Sequence, residues 1–351
     1  MKPGFLERFA DAHVHNHTYD YEKSKAFLDN IASQSITDVA IQVLTSFGVT
    51  ENLAALNVKR KYDKMDVRVF GNVHDLDMFS DIPYEKQTEY LLSLGCDGIK
   101  TLVMKPNYRK DVGKGLNHPS YDKMLSMLEE RNTPFMVHSN DPSKMWDRER
   151  AGQWNIENNR IYDLPGFLSQ KEVYEETFQM LDKHPKLNVT LAHLFFLHED
   201  IDEAKRVMEK YPNVKFDLTP GWEMYIDFSG NIEAWHDFFV TYSDRIMFGT
   251  DRNTNSDNDH ANNRQKLVLD GISRDYSEFK MPCCSDSMIK GLNLNESILK
   301  KICFENYNKF VGEKVAVNEE KFVSACKKMI DELQKKGGFE AECKALKSYI
   351  D

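Results

Sequence analysis

The chain has 351 residues, 41% hydrophobic and 29% charged, with a net charge of −10. That length supports a large buried core, as one αβ barrel or two smaller domains. The acidic balance argues against general nucleic-acid affinity, which needs basic surface, and no apolar run reaches membrane-spanning length.

The N-terminal stretch to Phe9 lacks the apolar core and small-residue cleavage site of a signal peptide. A soluble cytoplasmic protein, without nucleic-acid or membrane partners, is therefore expected. None of the six cysteines stands in a CxxC pair, and Cys283 and Cys284 are adjacent. Buried, reduced thiols are expected rather than a disulfide framework.

Along the chain, short apolar runs alternate with amphipathic stretches. Phe9 to His15 reads as a strand and Glu22 to Ser33 as a helix. Strand Thr37–Leu44 and helix Glu51–Lys64 follow, then strand Val67–Val73 and helix Tyr84–Leu94. The fourth strand is Asp97–Val103. Its helix carries Tyr121, Met124, Leu125 and Leu128 at helical spacing. The fifth strand, Pro134–His138, precedes an insertion from Ser139 to Gln170 and a helix near Glu172–Lys183. Strand Leu187–His193 leads to a helix burying Ile201, Ala204, Val207 and Met208. Strand Val214–Thr219 leads to a helix at Ile232–Tyr242, and Arg245–Asp251 is the eighth strand. Further helices are expected at Glu296–Val311, Glu319–Gln334 and Phe339–Tyr349.

Eight strands alternating with helices predict a (β/α)8 TIM barrel over residues 1–313. Residues 314–351 form C-terminal helices, packing on the barrel or at a subunit interface. An open doubly wound sheet is the alternative, but no glycine-rich turn follows the first strand.

The polar residues fall at strand ends. His13 and His15 share one face of the first strand because alternate side chains point the same way. His138 ends the fifth strand, His193 the sixth and Asp251 the eighth. In a barrel these ends meet at one mouth, where active sites are built. Five metal-competent groups there point to a bound ion, since a buried histidine cluster would otherwise need many compensating hydrogen bonds. Imidazole plus carboxylate suits Zn²⁺, with Mn²⁺, Fe²⁺ or Ni²⁺ open by the same ligand chemistry.

Five segments together resemble the amidohydrolase superfamily, in its amidohydrolase-related branch of metal-dependent barrel hydrolases and decarboxylases. They are Asp11-Ala-His13-Val-His15, Gly98-Ile-Lys100, Pro134-Phe-Met-Val-His138, Val189-Thr-Leu-Ala-His193 and Phe248-Gly-Thr-Asp251. The run from Ile302 to Phe310 is similar to that branch's closing helix, so the resemblance spans about residues 9 to 312. It implies that His13, His15, His138 and Asp251 hold one divalent metal. It also implies that His193 stands beside the metal as a catalytic group. Asp251 would both ligate and take a proton from water. Binuclear relatives carry a bridging carbamylated lysine or glutamate on strand four; Lys100 lies three residues before that strand's end, and a mononuclear site is favoured.

On the substrate side, the loop after strand four is basic: Lys100, Lys105, Arg109, Lys110 and Lys114. Lys100 and Lys105 are the candidates for a substrate carboxylate, the other three reading as a solvated face. The long insertion offers Asp141 and Trp146. The Pro-Gly turn after strand seven would present Glu223 and Tyr225, and Arg252 follows Asp251. His74 ends strand three and is a further mouth candidate. His118, His184, His198, His236 and His260 read as bland.

The expected function is a metal-dependent hydrolase acting on an amide, ester or lactone of a small carboxylate-bearing molecule. A non-oxidative decarboxylase or hydratase on the same scaffold is the alternative, and a non-catalytic metal-binding barrel the weaker one. A homodimer is expected by analogy only.

Overall fold

The computed structural model describes residues 4–44, 51–73, 81–219 and 221–350. Eight parallel strands run in sequence order: β1 Ala10–His15, β2 Asp38–Gln42, β3 Asp66–Asn72, β4 Gly98–Met104, β5 Phe135–Ser139, β6 Val189–Leu191, β7 Val214–Asp217 and β8 Ile246–Met247. The seam between β8 and β1 is closed by Ala12 N donating to Phe248 O (3.0 Å) and Asp251 N to His13 O (2.9 Å). A ninth strand, Arg252–Asn253, pairs with the top of β1.

Small residues make the barrel interior possible. Ala10, Ala12 and Ala40 leave room for Phe70, Met136 and Met247, and the helix Asn306–Val311 plugs the lower end with Tyr307 and Phe310. Asn306 fastens that plug, donating to Ser243 O and Ile246 O at 2.7 Å. Phe9 and Val14 belong instead to the outer core between sheet and helices.

This distribution exposes a bulge. In the β1–β2 ladder Asp11 pairs with Val39 but Val14 with Ile41, so β1 holds one extra residue there. A one-residue insertion reverses which face each side chain meets. Below it Ala10 and Ala12 point inward; above it His13 and His15 do. A similar shift lies between Thr101 and Met104 of β4.

Most helices lie where the periodicity placed them, and their starts carry capping side chains. Asp20 caps Tyr21–Ser33, Ser169 forms a capping box with Glu172 before Gln170–Lys183, and Asn318 caps Glu319–Lys336. The helix Asn258–Ser273, the short helix Pro106–Val112 and a hairpin of Glu278–Lys280 with Met288–Lys290 had no counterpart in the sequence reading.

The two last helices, Glu319–Lys336 and Glu340–Ile350, pack on each other and on the barrel helices. Arg60 lies over the Phe322 ring at 4.8 Å and donates to Tyr349 O at 2.9 Å. All six cysteines are free; four are buried, but Cys283 is half-buried and Cys284 exposed, against the expectation for that pair. No helix among the described residues is long and apolar enough to cross a membrane.

Candidate active site

The strand ends open on a cavity of about 1120 Å³ lined by His13, His15, Lys100, Lys105, His138, Asp141, His193, Glu223 and Asp251, among others. Thus all five strand-end groups reach one mouth, together with four of the seven substrate candidates.

Hydrogen-bond partners fix the imidazole tautomers. His13 Nδ1 faces the Asp217 carboxylate at 2.8 Å, and His15 Nδ1 faces the Gln42 carbonyl at 2.6 Å. Both partners can only accept, so both Nδ1 atoms carry hydrogen and both Nε2 atoms keep a lone pair. Those lone pairs meet Asp251: Oδ1 lies 2.9 Å from His15 Nε2 and 3.9 Å from His13 Nε2.

The ligating atoms of His13, His15 and Asp251 all fall within 4.8 Å of one another. Acceptors converging this closely call for a cation or a proton among them. Metal-bound histidines tie their other nitrogen to a carboxylate or carbonyl in this way, so the residues fit a divalent ion.

His138 and His193 form the adjoining pair. Thr219 Oγ1 donates to Asp217 (2.5 Å) and accepts from His193 Nδ1 (2.8 Å). His193 Nε2 then accepts from His138 Nδ1 at 3.1 Å. The remaining His138 lone pair, on Nε2, faces Lys105 Nζ at 3.4 Å. His138 therefore stands beside the His13–His15–Asp251 trio rather than within it.

The backbone under His193 is unusual. His193, Leu194, Phe195 and Phe196 all have positive φ, between 52° and 59°, a left-handed turn costing about 1–2 kcal/mol per residue. Burial of Leu194 and Phe195 in the core offsets it, and the His193 N–H donates to Asp217 Oδ1 at 2.8 Å. Asp217 thus orients both His13 and His193.

The electrostatics suit ligation, which needs neutral imidazole and ionised carboxylate. Burial, then the charge of Lys100, pushes His13 down to about 3. Burial and Lys105 hold His138 well below its usual value, and burial lowers His193. Burial opposes ionisation of Asp251, but a proton shared with His15 Nε2, standing where a metal ion would, outweighs it and keeps the carboxyl well below its ordinary range. Burial lowers Lys100 to about 8; its Nζ sits 3.3 Å from His13 Nε2.

Lys105 Nζ reaches both oxygens of Asp141 (2.9 and 2.8 Å), and Tyr162 OH donates to Asp141 at 2.5 Å. Glu223 pairs with Lys144 at 3.2 Å. The mouth does not receive Trp146, Tyr225 or Arg252, although each was expected there. Trp146 pins the insertion, its Nε1 donating to Leu168 O at 2.8 Å. Tyr225 lies on the helix Glu223–Gly230 and turns into the core, its OH donating to Leu218 O.

Asp251 has φ 54°, and beyond it the chain runs on parallel to β1. Arg252 is consequently buried in the wall, donating to Thr250 Oγ1 and Gln265 Oε1. Arg109 is taken by Glu176, while Lys110 and Lys114 lie over aromatic rings. His260, read as bland, lines the cavity with Arg160 and Arg264. His74 lies outside the described residues.

Sequence reasoning also passed over Asp217 and Thr219. The available signal was Asp217's place as a carboxylate at the mouth end of a strand.

Comparisons with known proteins bear on the fold and the family. The family model described as Amidohydrolase (Amidohydro_2) matches residues 11–306. No curated protein matches the chain. Among solved structures, an uncharacterized TIM-barrel protein from Bordetella bronchiseptica superposes with TM-score 0.56 at 12% identity, over 87% of this chain and 98% of its own. A 5-carboxyvanillate decarboxylase from Sphingomonas paucimobilis gives 0.51 at 11% identity, over 87% and 99%. A probable 2-pyrone-4,6-dicarboxylic acid hydrolase from Acinetobacter baumannii, with citric acid bound, gives 0.50 at 13% identity, over 87% and 100%. At such identities the likeness is one of fold.

Proposed function

Because the chain belongs to the amidohydrolase family, we propose that it is a metal-dependent hydrolase cleaving an amide, ester or lactone of a small carboxylate-bearing molecule. One observation carries this reading. His13 and His15 each commit Nδ1–H to a fixed acceptor and turn Nε2 toward Asp251, an ionised carboxylate.

His13, His15 and Asp251 would hold the ion, with His138 as fourth ligand through the lone pair on Nε2. Zn²⁺ is our first candidate for this donor set, with Mn²⁺, Fe²⁺ and Ni²⁺ as alternatives. When bound, the ion supplies Lewis acidity, which acidifies water and polarises a carbonyl.

The protein groups supply the rest. Asp251 is 28% exposed to the mouth and ionised, so it can accept a proton from an attacking water. His193, neutral and held by Thr219 and Asp217, orients His138 and presents an imidazole beside the reacting carbonyl. Lys105 and Lys100 offer positive charge to the substrate carboxylate.

A screen of the zinc-loaded chain against N-acyl amino acids, lactones and carboxylate esters tests the reading. Acid release that disappears in Asp251→Asn supports it. Carbon dioxide release from hydroxybenzoates, with no hydrolysis, would assign a lyase instead.

A further inference from the structure

Two thiols stand on the rim of the mouth, apart from the ligand cluster. They occupy the loop of the hairpin formed by Glu278–Lys280 and Met288–Lys290. The loop is built: Met281 N donates to Ser287 O, Ser285 N to Cys283 O and Ser287 N to Ser285 Oγ. Cys284 has φ 74°, a left-handed conformation uncommon for a side-chain-bearing residue. The turn brings Cys283 Sγ and Cys284 Sγ to 2.9 Å, within hydrogen-bonding contact.

Packing explains Cys283, which lies half-buried against the core, but not Cys284. Cys96, Cys303, Cys326 and Cys343 are buried, and burial raises all four thiols, Cys96 and Cys326 to about 12. Cys284 is exposed and lines the same cavity as His13, Asp251 and Arg264. The hydrogen bond shared with Cys283 outweighs the cost of its partial burial and, with Arg264's charge, lowers the Cys284 thiol. A thiol that is accessible, readily ionised and next to a second thiol has the attributes of an oxidisable cysteine.

We propose that Cys283 and Cys284 form a reversible dithiol–disulfide site on the rim of the mouth, oxidised by hydrogen peroxide or another small hydroperoxide. The Cys284 thiolate attacks one peroxide oxygen. The O–O bond breaks, leaving Cys284 as sulfenic acid and releasing hydroxide, which takes a proton to become water. Cys283 sulfur then attacks Cys284 sulfur. The S–O bond breaks, and a second water leaves with the Cys283 proton. The thiols lose two electrons and two protons, and the peroxide takes them up as two waters.

Adjacent Cα atoms are about 3.8 Å apart, closer than the roughly 4.4–6.8 Å usual across a disulfide. The closed ring is therefore strained and easily reduced, as suits a reversible bond. Because Cys284 shares the cavity with Arg264, ring closure removes an anionic sulfur from the neighbourhood of that guanidinium.

The test exposes the zinc-loaded full chain to hydrogen peroxide, then unfolds it in iodoacetamide and digests it for mass spectrometry. The peptide holding both cysteines should appear two hydrogens lighter with neither sulfur alkylated. Dithiothreitol should restore both alkylations, and the four buried cysteines should be alkylated throughout. In Cys283→Ser, dimedone should trap sulfenic acid at Cys284; in Cys284→Ser, Cys283 should give no adduct. Both variants should keep the wild-type melting temperature and zinc content. The proposal is overturned if both sulfurs remain alkylatable while added free cysteine is consumed. It is equally overturned if oxidation runs only to sulfonic acid, or only to a bridge between two chains.

Discussion

Replacing Asp217 by Asn probes the part of the site that sequence reasoning missed. Asp217 is fully buried and accepts four hydrogen bonds. Oδ1 takes His193 N (2.8 Å), Thr219 N (3.2 Å) and Thr219 Oγ1 (2.5 Å), and Oδ2 takes His13 Nδ1 (2.8 Å). An Asn carbonyl at the Oδ1 position keeps the first three. Its amide NH₂ then faces His13 Nδ1, a donor against a donor. The ring relieves this by moving its hydrogen to Nε2, which removes the lone pair turned toward Asp251. Loss of such an outer partner typically costs about 10–100-fold in metal affinity, or about 1.4–2.7 kcal/mol. Competition with a chromophoric zinc chelator near neutral pH measures it. Because Asn preserves volume and three of the four bonds, the fold should persist by circular dichroism. An unchanged zinc affinity in a folded Asp217→Asn chain would refute the tautomer assignment.

Three further substitutions separate roles within the fold. Burial lowers Lys215, at the lower end of the barrel, to about 8. Below that pH both states hold the proton and the fold bears the cost. Between about 8 and 10.5 only the unfolded chain holds it, so wild-type stability should rise with pH through this window. Lys215→Met should therefore be more stable near neutral pH, by at most on the order of 3 kcal/mol, with the advantage gone above the window; equal denaturation midpoints at neutral pH would contradict this. Lys105→Met should weaken binding of succinate to the zinc-loaded chain more than about tenfold, the worth of a charge-assisted hydrogen bond, as read by calorimetry. Arg252→Met should leave succinate binding unchanged but lower the melting temperature, because it strands the buried Asp11 charge and Gln265; the reverse pattern would return Arg252 to the mouth.

The barrel was legible because parallel strands buried on both faces read as apolar runs, and their polar ends stand out. His13, His15, His138, His193 and Asp251 were found that way, and all five line the cavity. The bulge in β1 was not legible. Strict alternation puts Ala10 and Ala12 on the face opposite His13 and His15, and such small residues carry too little signal of direction to reveal that both pairs face the interior. Asp217 was hidden because its role is to hold other side chains. Arg252 and Tyr225 were misplaced because nearness in sequence says little about direction after a left-handed residue or at a helix start. Trp146 lies on an insertion whose path depends on contacts such as Tyr162 to Asp141, which no periodicity encodes.

Metal content is the direct arbiter of the site. His15 Nε2 and Asp251 Oδ1 stand 2.9 Å apart, and either a metal or a proton can reconcile them. Elemental analysis of the purified chain should find one divalent ion per chain, depleted in His15→Ala and in Asp251→Asn. A wild-type chain that takes up no divalent metal, or a His15→Ala chain with unchanged content, would mean that the pair is held by a proton and that the mouth is not a metal centre.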